Sequence, residues 1–141
     1  MAVPFKIRDI DHVVLRVRDV ERMRRFYCDV LGCAFEKDQM AEFGLLQLRA
    51  GRSLIDLVDV AGAIGRKGGA APGQEALNMD HLCLRVDPFD GEDIARHLKG
   101  HGVEPGEARD RYGADGYGPS IYLSDPEGNV VELKGPPRAA Q

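Results

Sequence analysis

A chain of 141 residues, 43% hydrophobic and 30% charged, has the size and balance of one ordinary globular domain. Its formal charge of -4 and pI near 5.5 offer no basic field to nucleic acid, and no apolar run reaches the roughly 18 residues of a membrane span. Cys28, Cys33 and Cys83 are too few and too unevenly spaced for a disulfide framework or zinc ribbon, and the N-terminus has no apolar leader core, so a reduced, cytoplasmic protein is expected.

The first predicted strand is Ile10 to Val17. It places Val13, Leu15 and Val17 on one face and His12, Val14 and Arg16 on the other. A helix is predicted over Asp19 to Leu31, with Val20, Met23, Phe26, Tyr27, Val30 and Leu31 at helical spacing, Asp19 as N-cap and Gly32 as stop. Three extended stretches follow, roughly Ala34 to Lys37, Gly44 to Arg49 and Ser53 to Val58. In the last, Ile55 and Leu57 should lie under the helix, leaving Leu54, Asp56 and Val58 on the histidine side. Ala61 to Asn78 is rich in Gly and Ala without periodicity and reads as a linker or mobile loop.

At Met79 the pattern begins again. Met79-Asp80-His81-Leu82-Cys83-Leu84-Arg85-Val86 repeats Ile10-Asp11-His12-Val13-Val14-Leu15-Arg16-Val17 at an offset of 69 residues. A shorter helix, Asp90 to Leu98, is capped by Asp90, carries Ile94 and Leu98 on one face, and ends at Gly100 or Gly102. Extended stretches are predicted at Val103 to Ala108, Ser120 to Ser124 and Asn129 to Lys134, the last two joined by a turn at Asp125-Pro126-Glu127-Gly128-Asn129. Module one (about 8–60), the linker (about 61–78) and module two (about 79–135) give the order βαβββ-βαβββ. Neither half can close a core alone. The expectation is one α+β domain over 1–141, its tandem modules forming a curved mixed sheet around a cleft.

Strand parity locates a candidate site. His81, Cys83 and Arg85 face away from Leu82, Leu84 and Val86, while Val130, Glu132 and Lys134 oppose Val131 and Leu133. Asp56 in Leu-Ile-Asp-Leu and Glu132 in Val-Val-Glu-Leu are therefore equivalent, each on the same side as its module's histidine. Two imidazoles and two carboxylates on one concave surface suit a divalent ion, whether Zn, Ni, Co, Mn or Fe. A lone strand histidine is usually just a hydrogen-bonded surface residue; it is the repetition that points to a metal. Glu132 is the first candidate for a proton shuttle and Asp56 the second. Gln47 alternates against Leu46 and Leu48 and is a candidate substrate contact. Arg16 and Arg85 read either as anion clamps or as structural ion-pair partners. The run Arg109 to Gly118 is either a lid carrying Arg111 or Tyr117 to a substrate or a plain solvated loop. His97 and His101 are expected to be exposed.

Taken together, Asp11-His12-Val13-Val14-Leu15, Arg24-Arg25-Phe26-Tyr27 followed by Val30-Leu31-Gly32, Asp80-His81-Leu82, and Asp125-Pro126-Glu127-Gly128-Asn129-Val130-Val131-Glu132 resemble the vicinal oxygen chelate superfamily. That group includes glyoxalase I, fosfomycin-resistance enzymes, extradiol dioxygenases and bleomycin-binding proteins, and the resemblance spans Ile10 to Gly135. It is nearest to small glyoxalase-like bacterial proteins. It implies paired modules in a homodimer and a divalent metal on His12, His81 and Glu132. Asp56 stands where glyoxalase I has a glutamate, one methylene shorter, and is a direct, a water-bridged or an absent ligand. The resemblance would also turn Tyr122 toward the cleft as a substrate contact. The implied function is a glyoxalase-like metal enzyme of lyase or isomerase type, acting on a small oxygen-chelating metabolite. The alternatives are an Fe(II) extradiol-type dioxygenase and a metal-free small-molecule or antibiotic-binding protein.

Overall fold

In the computed structural model, which describes residues 2–139, the predicted alternation of the first strand holds. β1 (His12–Val17) buries Leu15 and Val17 and exposes His12 and Val14. The chain divides into two compact units, Met1–Ala71 and Pro72–Gln141.

In the first unit Asp19 caps α1 (Val20–Arg25) by accepting the backbone N–H of Arg22. The helix then widens into a π turn over Phe26–Val30. With that extra residue in the turn both Phe26 and Tyr27 enter the core, their rings edge to face at 5.3 Å, beside the fully buried Met23. Gly32, at φ 82°, ends the element. β2 (Ala34–Gln39), a short α2 (Met40–Phe43) that the sequence reading did not anticipate, β3 (Leu45–Ala50) and β4 (Ser53–Asp59) complete the unit, with a 3-10 turn at Gly65–Gly68. The sheet order is β1-β4-β3-β2, with β1 parallel to β4 and the other pairs antiparallel. α1 packs on β4, where Ile55 and Leu57 are buried as the parity predicts.

The second unit repeats this plan with β5 (Leu82–Arg85), α3 (Gly91–Gly100), β6 (Arg109–Gly113), β7 (Gly116–Ser124) and β8 (Val130–Lys134), in the order β5-β8-β7-β6. Asp90 caps α3 by accepting from Glu92 and Asp93. The helix rests on β7, with Leu98 as its buried side chain above a core of Ile121, Leu123, Val131 and Leu133.

Two expectations are corrected here. Val103 to Ala108 is not a strand; it meets the sheet where the N–H of Gly106 donates to the carbonyl of Tyr122. Pro105 has no N–H to give to a ladder, which disfavours pairing there. The strand forms instead from Arg109 to Gly113, so the supposed flexible run 109–118 is a β6–β7 hairpin turning at Ala114-Asp115. The predicted turn before β8 is present, with the Asp125 carboxylate accepting from the N–H groups of Glu127 and Asn129 and from the Asn129 amide. No helix among the described residues is long and apolar enough to cross a membrane.

Candidate functional site

Register makes the repeat exact at the site. In the first unit Val14 pairs with Asp56, so the carboxylate stands opposite the residue two beyond His12. In the second, Cys83 pairs with Glu132, in the same relation to His81. On the far side of each carboxylate the next strand contributes Gln47 opposite Asp56 and Tyr122 opposite Glu132. The two candidate substrate contacts picked separately from the sequence are thus one position of the repeat.

Each imidazole is oriented by the aspartate just before it. His12 Nδ1 lies 2.7 Å from Asp11 Oδ1, and His81 Nδ1 lies 2.6 Å from Asp80 Oδ1. An Nδ1–H donated to aspartate leaves Nε2 as a bare lone pair facing the site, the arrangement a metal-ligating histidine uses. Sequence reasoning used the Asp-His pairs only to find the repeat and gave Asp11 and Asp80 no role. The doubled dipeptide was the signal. The hydrogen bond to Asp11 holds the His12 imidazole above its ordinary pKa, and the charge of Asp56 adds to this.

The two pairs differ in closure. His81 Nε2 is 3.3 Å from Glu132 Oε1, and Glu132 is 5% exposed. The Tyr122 ring stands edge-on to His81 at 5.5 Å, and the guanidinium of Arg111 lies 4.5 Å above the Tyr122 ring while donating to the carbonyl and hydroxyl of Ser120. Burial raises the pKa of the Tyr122 phenol, and its hydrogen bond to Glu132 raises it further. The thiol of Cys83 is pushed up to about 11, first by lost hydration and then by the Glu132 charge, even though the residue presents surface to solvent. Asp56, also buried, instead receives the Gln47 amide at 3.4 Å on both oxygens. Burial lifts its pKa, with Gln47 and His12 pulling the other way.

Of the remaining candidates, Arg85 pairs with Asp115. Arg16 donates to the carbonyls of Gly65, Gly69 and Ala70, so its role is structural. Arg111 sits on a strand rather than a lid, and Tyr117 is exposed, paired with Tyr112 at 5.1 Å between ring centres. His97 and His101 are exposed. Within the second unit a cavity of about 290 Å³ opens over His81, Cys83 and Glu132 and continues to Arg85, Lys134 and the hairpin turn.

The donor chemistry fits a divalent ion best in the second unit. Two lone-pair atoms at 3.3 Å repel unless a proton or cation lies between them, and bonds of about 2.1 Å place two ligands of one ion near that separation. Among the described residues, no three His, Cys, Asp or Glu side chains gather into a ready metal-ligand set.

Comparison with known proteins agrees with this plan. The model of the Glyoxalase/Bleomycin resistance protein/Dioxygenase superfamily matches residues 9–133. An integron cassette protein from the mobile metagenome of V. cholerae shares 28% identity at a TM-score of 0.75, covering 94% of this chain and 98% of that one. A virulence protein of Salmonella typhimurium shares 27% at 0.77, covering 94% and 99%. An antibiotic-binding protein of Streptomyces sp. CB03234 shares 26% at 0.70, covering 94% and 98%.

Proposed function

This chain belongs to the Glyoxalase/Bleomycin resistance protein/Dioxygenase superfamily, and we propose that within it the chain is a divalent-metal enzyme of glyoxalase type, acting on a small oxygen-chelating metabolite. The observation that carries the proposal is the His81–Glu132 pair, an exposed imidazole and a buried carboxylate 3.3 Å apart, with Asp80 orienting the imidazole. His81 and Glu132 are the first ligands of the proposed set and His12 the third. Asp56, held by Gln47, is the weakest of the four. Bound there, the ion would act as a Lewis acid that draws charge onto substrate oxygens. The protein's own share of the work is proton handling. Glu132 is the first candidate base, its carboxylate accepts the Tyr122 phenol, and Arg111 lies over the Tyr122 ring. Asp56 is the second candidate base. Gln47, Tyr122 and Arg111 are the proposed substrate contacts. Family membership also supports a homodimer in the cytoplasm; sedimentation of the purified protein tests the homodimer.

Metal analysis of untagged protein decides the matter. The expected result is close to one equivalent of a transition metal per chain. Less than about a tenth of an equivalent, with no gain on adding metal, would sink the proposal. Oxygen uptake with a catechol under Fe(II) would instead mark the dioxygenase alternative on the same His12, His81 and Glu132. The Streptomyces antibiotic-binding relative favours one further alternative, a metal-free binder of a small molecule. Under that reading, replacing His12 and His81 by Ala leaves ligand affinity intact.

A further inference from the structure

The cavity of the second unit holds more cationic chemistry than a metal site needs. Arg85 and Lys134 are direct partners across β5 and β8, so two like charges stand side by side on the face that lines it. Such a pair costs stability wherever nothing offsets it. Lys134 is only 6% exposed, and the acceptors of its ammonium are neutral: the carbonyl of Arg111 at 2.5 Å and that of Gly118 at 3.2 Å. An ammonium has three N–H groups, and backbone takes two of them. Arg85 is balanced by Asp115, which reaches it from the turn of the β6–β7 hairpin and is itself well exposed. Ion pairs this open to water are weak and readily exchanged.

We propose that this end of the cavity is a subsite for a compact oxyanion, a carboxylate or a phosphonate or phosphate group, received by Lys134 and Arg85, with Asp115 holding its place in the free protein. The subsite lies beside His81 and Glu132, so the ligand carries its anionic group next to its reacting oxygens. The whole cavity, at about 290 Å³, is at the small end for ligand pockets, which suits a metabolite rather than a drug-sized molecule. The inference deepens the function proposed above by naming a feature of the ligand, and its test needs no metal and no turnover.

The test is calorimetric titration of metal-stripped protein with methylphosphonate and with acetate at constant ionic strength. Saturable binding with Kd of about 1–10 mM is expected for at least one of them. Arg85→Gln and Lys134→Met should each weaken it about tenfold, because a charge-assisted hydrogen bond is lost. Asp115→Asn should tighten it about threefold by removing the competing carboxylate. Lys134 also ties β6 to β7, so if Lys134→Met fails to fold, the exposed Arg85→Gln and Asp115→Asn carry the test. Stronger binding of methylphosphonate assigns the subsite to phosphonates or phosphates, and stronger binding of acetate assigns it to carboxylates. Absence of saturable binding up to about 50 mM, or the same affinity in wild type, Arg85→Gln and Asp115→Asn, overturns the inference. Neither result bears on metal content, so this proposal and the previous one fail separately.

Discussion

The two units carry the same register, and yet only one closes its imidazole–carboxylate pair. Val14 faces Asp56 as Cys83 faces Glu132, but Glu132 approaches His81 while Asp56 turns to Gln47. One methylene and one neighbour make the difference. A glutamate spans the gap to the imidazole from its strand position, and its neighbour Tyr122 brings a single hydroxyl. The shorter aspartate is met by an amide that bonds to both of its oxygens. Equivalence of backbone position therefore does not make the two carboxylates equivalent in chemistry.

The most incisive test of that asymmetry is on the carboxylates. Glu132→Gln should lower metal affinity by about a hundredfold or more, whereas Asp56→Asn should lower it by about tenfold or less, as measured by competition with a chromophoric chelator. Equal losses would make the two carboxylates equivalent in the proposed site and erase the comparison. Next in size is the core. α3 has Leu98 as its buried side chain, while Met23 shares its burial with Phe26 and Tyr27. Leu98→Ala and Met23→Ala should each cost about 2–5 kcal/mol, with Leu98→Ala the larger, read from urea midpoints. Smaller again are the caps. Asp90→Ala and Asp19→Ala should each cost about 1 kcal/mol, since each removes a side-chain cap from the first turn of its helix.

The smallest effect is at the thiols. Cys33 is pushed up to about 11 by burial and then by Cys28, and Cys83 to about 11 by burial and then by Glu132. Glu132→Gln should speed alkylation of Cys83 a few-fold at pH 8 and leave that of Cys33 unchanged. The sign for stability is fixed as well. The unfolded Cys33 thiol ionises near 9.0 and the folded one near 11, so its contribution is complete below 9.0 and is lost as pH rises to 11.

Much of this was legible because strand parity is a local property. Alternation alone put His12, Asp56, His81 and Glu132 on the faces they occupy, and the Asp19 and Asp90 caps followed from residue type and position. What escaped the sequence depends on contacts between distant residues. The π turn was invisible, since Phe26 and Tyr27 fit either helical spacing. The sequence points to a strand at 103–108, one segment before β6, because pairing with β7 decides the position and Pro105 is the local sign against the earlier segment. Alternation gives Lys134 its face, but its bonds to Arg111 and Gly118 depend on the β6–β7 hairpin, whose pairing is not visible in the local sequence. The role of Asp11 and Asp80 was in plain view as the doubled Asp-His and needed only the question of what holds each ring.

The glycine-rich stretch after β4 has one more consequence. Its composition resembles slack, yet Arg16 reaches through it to three carbonyls, and a Cβ on Gly68 would fall 2.5 Å from the Arg16 guanidinium carbon. At Gly65 a Cβ would meet the Asp59 carbonyl oxygen at 2.0 Å. The glycines here are the walls of a socket around one side chain. A protease, or an inserted peptide, should therefore be admitted past Ala71 well before it is admitted among those glycines.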